Sequence, residues 1–182
     1  MKIQGIRIKD LAIYISDYLR KRGIDTILSG GACVSIYSGQ RYLSYDLDFV
    51  LISYVHRKDI KAALDEIGFK ERDRHFVHKD TPYFIEFLSP PPSVGDEPVR
   101  EIAEIKKGKM VLKLLSPTDC VKDRLAAYYH WDDRPSLDQA VLVCQSQPVD
   151  LSEVQRWSVK EGMNKKFKIF RKALSVKVGK RP

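Results

Sequence analysis

Apolar positions recur at helical spacing over residues 8–22, where Leu11, Ile15, Tyr18 and Leu19 fall on one side and Gly23 ends the run. DTILSGG then reads as a short buried strand running into a glycine turn, and ACVSIYSG supplies one or two helical turns before a hairpin-like Gly39–Gln40. YLSYDLDFVLI alternates and then becomes continuously apolar, as a central strand does. HRKDIKAALDEIGF predicts a second amphipathic helix over 56–69, with Ile60, Ala63, Leu64 and Ile67 inward. Shorter strands are expected around RHFVHKD and PYFIEFLS, and a loop over the proline-rich 89–98. VREIAEI and KMVLKLL look like a closing pair of strands across Lys107–Gly108.

From Ser116 the pattern becomes helical. SPTDCVKDRLAAYYHW opens with a capping serine and a proline, and further helices are expected near 136–146, 151–161 and 163–175, with a flexible SVKVGKRP at the end. The expectation is a mixed α/β (α+β) core over 1–115 followed by a helical region over 116–182.

Composition narrows the class only in part. At 182 residues, 43% hydrophobic and 31% charged, the chain has ordinary globular proportions. No apolar run is long enough to span a membrane and the N-terminus lacks the apolar core of a signal peptide, so a cytoplasmic location is the expectation. Cys33, Cys120 and Cys144 are odd in number and lack CxxC spacing, so they read as buried thiols. A net charge of +8 tilts towards phosphate-bearing partners.

The chemistry concentrates in SGGACVSIYSGQRYLSYDLDF, residues 29–49. Residues two apart on a strand share a face and lie roughly 7 Å apart. Ser44, Asp46 and Asp48 therefore share one face, and Tyr45, Leu47 and Phe49 pack on the core. Magnesium, or manganese in its place, suits such hard oxygen ligands. Glu86, a lone charge in the apolar YFIEFLS, is the natural third carboxylate. Gly30 and Gly31 allow close backbone approach to phosphate, and Ser29 and Ser44 add hydroxyl donors. A polar sheet surface with a tight turn explains each of these features taken singly.

In order, glycine pair, SxDxD and strand glutamate resemble the nucleotidyltransferase superfamily of the DNA polymerase β type. The wording GG…SYDLDF looks like its AbiEii-type branch, known from abortive-infection and toxin–antitoxin systems. The resemblance covers about residues 25–130. It implies a polymerase β-like core, magnesium held by Asp46, Asp48 and Glu86, and transfer of a nucleoside monophosphate from an NTP to a hydroxyl of RNA, protein or a small molecule. It also implies phosphate contacts from the glycine turn and from Lys122 or Arg124 on the helix after the sheet, and a later aspartate, placed at Asp138 or displaced to Gln139.

Two other readings stay open: a non-catalytic regulatory relative of that fold, and a nucleic-acid-binding module with a merely structural acidic strand. The stretch from Arg156 onward carries ten Lys or Arg against one acidic residue, Glu161, and suits either a solvated helix or an RNA-binding face. His75 and His78 fit neither helical nor same-face strand spacing, which disfavours zinc. Tyr128, Tyr129 and Trp131 read as packing residues.

Overall fold

The computed structural model describes residues 3–178. Its elements run in the order α1 (Ile8–Arg20), β1 (Thr26–Ser29), α2 (Gly30–Tyr37), β2 (Asp46–Leu51), α3 (Arg57–Asp65), β3 (Lys70–Arg72), β4 (His75–Val77), β5 (Phe84–Leu88), β6 (Ser93–Val94), β7 (Glu97–Pro98), β8 (Ile102–Lys107), β9 (Met110–Leu115), α4 (Pro117–Trp131), α5 (Arg134–Ser146), α6 (Leu151–Lys160) and α7 (Asn164–Val178). This is the mixed α/β architecture the sequence predicts. Seven strands form one sheet in the order β3-β4-β5-β2-β1-β9-β8. Its centre is mixed: β2 runs antiparallel to β1 and parallel to β5, and β1 runs parallel to β9.

Alternation on β2 does what period-2 patterning requires. Leu47 and Phe49 are fully buried, with Ile85 and Phe76 beside them on neighbouring strands, while Asp46 and Asp48 stay half-buried on the other face. Helix α1 buries Leu11, Ile15 and Leu19 and packs on β9 and β1. Helix α4 starts where Ser116 Oγ accepts the Asp119 amide at 3.1 Å, with proline at the first helical position, and ends at Asp132 in left-handed geometry. One apolar core continues through residue 115, from Ile8 and Phe49 to Leu125, Tyr128 and Trp157. The cysteines are free thiols, Cys33 and Cys120 fully buried.

Several expectations need correction. The glycine pair is not a turn before a helix but the first turn of α2 itself. Gly39–Gln40 makes no hairpin: both residues have positive φ, and Gln40 N–H reaches back to Ser35 O at 2.8 Å, which closes the C-terminus of α2. Strand β2 begins only at Asp46, so Ser44 lies before it and Tyr45 is 55% exposed, not core-facing. Residues 89–98 contain the small β6–β7 ribbon, turned at Gly95, and β3–β4 is a hairpin turned at Asp73 in left-handed geometry. Trp131 is exposed, unlike Tyr128 and Tyr129. The terminal SVKVGKRP extends α7 through Val178; residues 179–182 lie outside the described residues. Among the described residues no helix is long and apolar enough to cross a membrane.

Candidate functional site

Register builds the site. Asp48 pairs with Ser29 of β1 on one side and with Glu86 of β5 on the other. Continuing the β4–β5 pairing by one residue from Phe76↔Ile85 sets His75 opposite Glu86, and His75 Nδ1 lies 3.6 Å from Glu86 Oε2. A transverse row Ser29–Asp48–Glu86–His75 thus crosses four strands, with Asp46 two residues along from Asp48 on the same face. Ser44 Oγ donates to Asp46 Oδ1, and Ser29 Oγ donates to the Asp48 carbonyl at 3.2 Å.

Helix α2 closes over this row. Gly30 sits at φ +65°, and a Cβ there would overlap Asp48 Oδ2; one on Gly31 would come within 2.8 Å of Ser44 Oγ. Gly30 therefore needs glycine both for room and for its backbone, while a side chain at Gly31 would have to displace the Ser44 hydroxyl. The first turn of α2, whose amides have no intrahelical acceptors, begins directly beside the carboxylates.

The electrostatics are one-sided. Burial, then the charge of Asp46, pushes the Asp48 carboxyl up to about 7; Arg124 opposes this, and Glu86 and Asp123 add to it. Arg124 reaches the site from α4 but is already gripped by Asp123, whose Oδ2 accepts from Nε at 2.9 Å and from the terminal nitrogen at 2.5 Å. Burial works against its charge and Asp123 outweighs burial, so the guanidinium stays above its ordinary range. Lys122 is placed elsewhere: its buried ammonium bridges Asp119 at 3.1 Å and Glu153 at 2.7 Å. Of the two helix cations expected to meet phosphate, only Arg124 faces the carboxylates.

A cavity of about 500 Å³ is lined by Arg41, Tyr42, Arg134, Asp138, Gln139 and Leu142 among others, and by none of the row residues. Of these, Tyr42 feels the charge of Asp46. The tyrosine is raised above its ordinary value by burial and then by Asp46, and it lies against α2 at Gly31. Asp138 and Gln139 line this cavity and not the carboxylate row, with Gln139 buried and Asp138 exposed.

Among the described residues, no three His, Cys, Asp or Glu groups already converge on a single metal position. Asp46 and Asp48 are nevertheless hard donors on one face, and Glu86 turns one oxygen towards His75. That suits a magnesium ion held by one or two carboxylates and completed by water and substrate phosphate, not by an all-protein cage. His75, which the sequence offers only as a disfavoured zinc ligand, is the residue the structure adds to the row. Its signal, a polar residue facing a strand glutamate, depends on register between β4 and β5 and not on spacing along the chain.

The basic C-terminal stretch is partly spent inside the protein. Arg156 and Lys160 hold Glu97, and Lys166 donates to Tyr128 O, Tyr129 O and Asp132. Lys165, Lys168 and Lys172 are exposed on α7.

No protein-family profile matches the chain, and no curated protein matches it. Solved structures do. An antigenic nucleotidyltransferase-like protein from Paracoccidioides brasiliensis superposes with a TM-score of 0.65 at 14% identity, covering 94% of each chain. The antibiotic-resistance factor ANT(2'')-Ia superposes with a TM-score of 0.51 at 15% identity, covering 97% of this chain and all of the other. The chain has the fold of nucleotidyltransferase-like proteins.

Proposed function

We propose that this protein is a metal-dependent nucleotidyltransferase that moves a nucleoside monophosphate from an NTP to an acceptor hydroxyl. The observation that carries this reading is the pairing of Asp48 with Glu86 on adjacent parallel strands, with Asp46 on the same face and Gly30 pressed against Asp48. Asp46, Asp48, Glu86 and Asp123 together outnumber the single guanidinium of Arg124, and Asp48 is raised by burial first and by that imbalance second. Such a set is completed by a cation and a ligand that brings it.

Asp46 and Asp48 would hold magnesium, or manganese, with Glu86 beside them; the ion supplies charge neutralisation for the triphosphate. The amides that open α2 at Gly30 and Gly31, with Ser29 and Ser44 near, face the phosphates. Arg124 adds a positive charge next to Asp48. In the transfer, the acceptor oxygen bonds to the α-phosphorus while the bond from that phosphorus to the bridging oxygen of the β-phosphate breaks. Pyrophosphate leaves with the electron pair, and Glu86 takes the hydroxyl proton. The work is mostly positioning and charge compensation.

The net charge of +8 and the exposed lysines of α7 favour an RNA acceptor. Within the superfamily, GG…SYDLDF favours the AbiEii-type branch and its toxin–antitoxin setting.

Isothermal titration of each NTP with magnesium into the wild type and into Asp46→Ala/Asp48→Ala tests the reading. Binding that needs both metal and aspartates supports it. Binding of RNA alone, unaffected by the aspartates, replaces it with a nucleic-acid-binding module.

A further inference from the structure

His75 stands at the end of the carboxylate row with a ring nitrogen in an unusual position. Nδ1 is buried, makes no hydrogen bond, and lies 3.6 Å from Glu86 Oε2. The ring is held edge-on against Phe84 at 4.9 Å between centroids, and Phe84 pairs with Asp46 across β2 and β5. An unpaired buried ring nitrogen is costly, and the group it faces is a carboxylate that accepts hydrogen bonds and donates none when ionised. A closure of well under 1 Å makes the pair a hydrogen bond. The neighbour selects the tautomer: a carboxylate facing Nδ1 places the imidazole proton there.

We propose that His75 is a positioning residue for Glu86, donating its Nδ1–H to Oε2 and so fixing the carboxylate. One glutamate oxygen is then committed to the imidazole and the other is left for the acceptor hydroxyl. This accounts for a glutamate that lies beside Asp48 in register yet does not close a three-carboxylate cage with Asp46 and Asp48. The arrangement parallels the way a carboxylate and an imidazole fix one another in hydrolase triads, here with the imidazole orienting the carboxylate. His78, three residues on, takes no part: its Nδ1 accepts from the Asp80 amide and its ring lies on Phe69.

The consequence for activity rests on the nucleotidyltransferase reading above; the contact itself does not. Long-range proton–nitrogen NMR on 15N-histidine-labelled, metal-free protein at pH 8.5 reads the tautomer directly, with His75→Asn identifying the His75 signals. The expected result is a proton on Nδ1 in the wild type that shifts to Nε2 in Glu86→Ala. A wild-type proton on Nε2, or an Nδ1 proton that Glu86→Ala does not move, overturns the proposal.

Pyrophosphate release from a mixture of the four magnesium NTPs, with total RNA supplying the acceptor hydroxyl, supplies the second readout. His75→Phe is expected to lower turnover at least tenfold, with NTP affinity by titration within twofold of wild type. His75→Asn, whose amide can donate from the Nδ1 position, is expected to return to within threefold of wild type, and His75→Gln, whose amide lies at the Nε2 position, is not. Equal loss in His75→Asn and His75→Phe overturns the positioning role. A wild type that releases no pyrophosphate removes the nucleotidyltransferase reading instead, and the tautomer result then decides the His75–Glu86 pair alone.

Discussion

Two acidic clusters in this protein have opposite fates. In the first, Glu97 of β7, Glu153 of α6 and Asp119 of α4 meet Arg156, Lys160 and Lys122: Arg156 holds Glu97 at 2.6 Å and Glu153 at 2.6 Å, Lys160 holds Glu97 at 2.8 Å, and Lys122 joins Glu153 to Asp119. The Arg156 guanidinium, aided by Lys160, draws Glu97 down to about 2, and Arg156 brings Glu153 to about 2. In the second, Asp46, Asp48, Glu86 and Asp123 share a single arginine, and burial, then the charge of Asp46, pushes Asp48 up to about 7. Carboxylates that hold the fold together are neutralised within it. Carboxylates left facing one another need something the chain does not supply, which is why the second cluster reads as a site.

The contrast breaks first if the aspartates are dispensable. Asp46→Ala/Asp48→Ala is expected to weaken magnesium–NTP binding at least 100-fold by calorimetric titration; a loss below threefold would remove the distinction. Glu97→Ala does the reverse. It leaves Arg156 and Lys160 without their buried partner, so about 2–3 kcal/mol of stability is expected to go. That is a fall in Tm of roughly 5–10 °C by scanning calorimetry, with NTP affinity unchanged.

The two clusters also diverge with pH. Asp48 binds its proton more tightly folded than unfolded, so its ionisation costs stability as pH rises from about 4 to about 7. With metal chelated, Asp48→Asn is expected to be more stable than wild type at pH 8 by about 1–3 kcal/mol and equal to it at pH 4. Glu97 shows the opposite sign: its contribution is present above its ordinary value of 4.5 and is lost as pH falls towards about 2. Urea melts of wild type, Asp48→Asn and Glu97→Gln across that range separate the two. The smallest effect is sought at Gly30→Ala, where left-handed geometry and the collision with Asp48 are expected to cost about 1–2 kcal/mol and to weaken NTP binding about tenfold.

Much of this was legible in the residues. The alternation of YDLDFVL put Asp46 and Asp48 on one face and Leu47 and Phe49 on the other, because period 2 is a local property of extended chain. Tyr45 escaped the rule because the strand begins one residue later. The β3 strand, Lys-Glu-Arg, carries no apolar signal, since it lies at the sheet edge and is largely exposed. Lys122 and Arg124, two residues apart on one helix, looked equivalent as phosphate ligands. The fold turns one into a buried ion pair with α6 and the other towards Asp48, a division set by tertiary packing. His75 was hidden for a similar reason: its partner is eleven positions away in sequence and adjacent only through the register of β4 with β5.

Helix α4 gives successive residues to different neighbours: Cys120 beside Cys33 of α2, Lys122 to α6, Arg124 to the carboxylate row. A chimaera made by crossover at residue 115, the point where strands give way to helices, would inherit a foreign partner for Cys120 and for Arg124 at once, while Lys122 would keep Glu153 from its own half. The seam most visible in the chain is therefore a poor place to recombine it; exchanges confined to the outer face of α7 leave those three contacts intact.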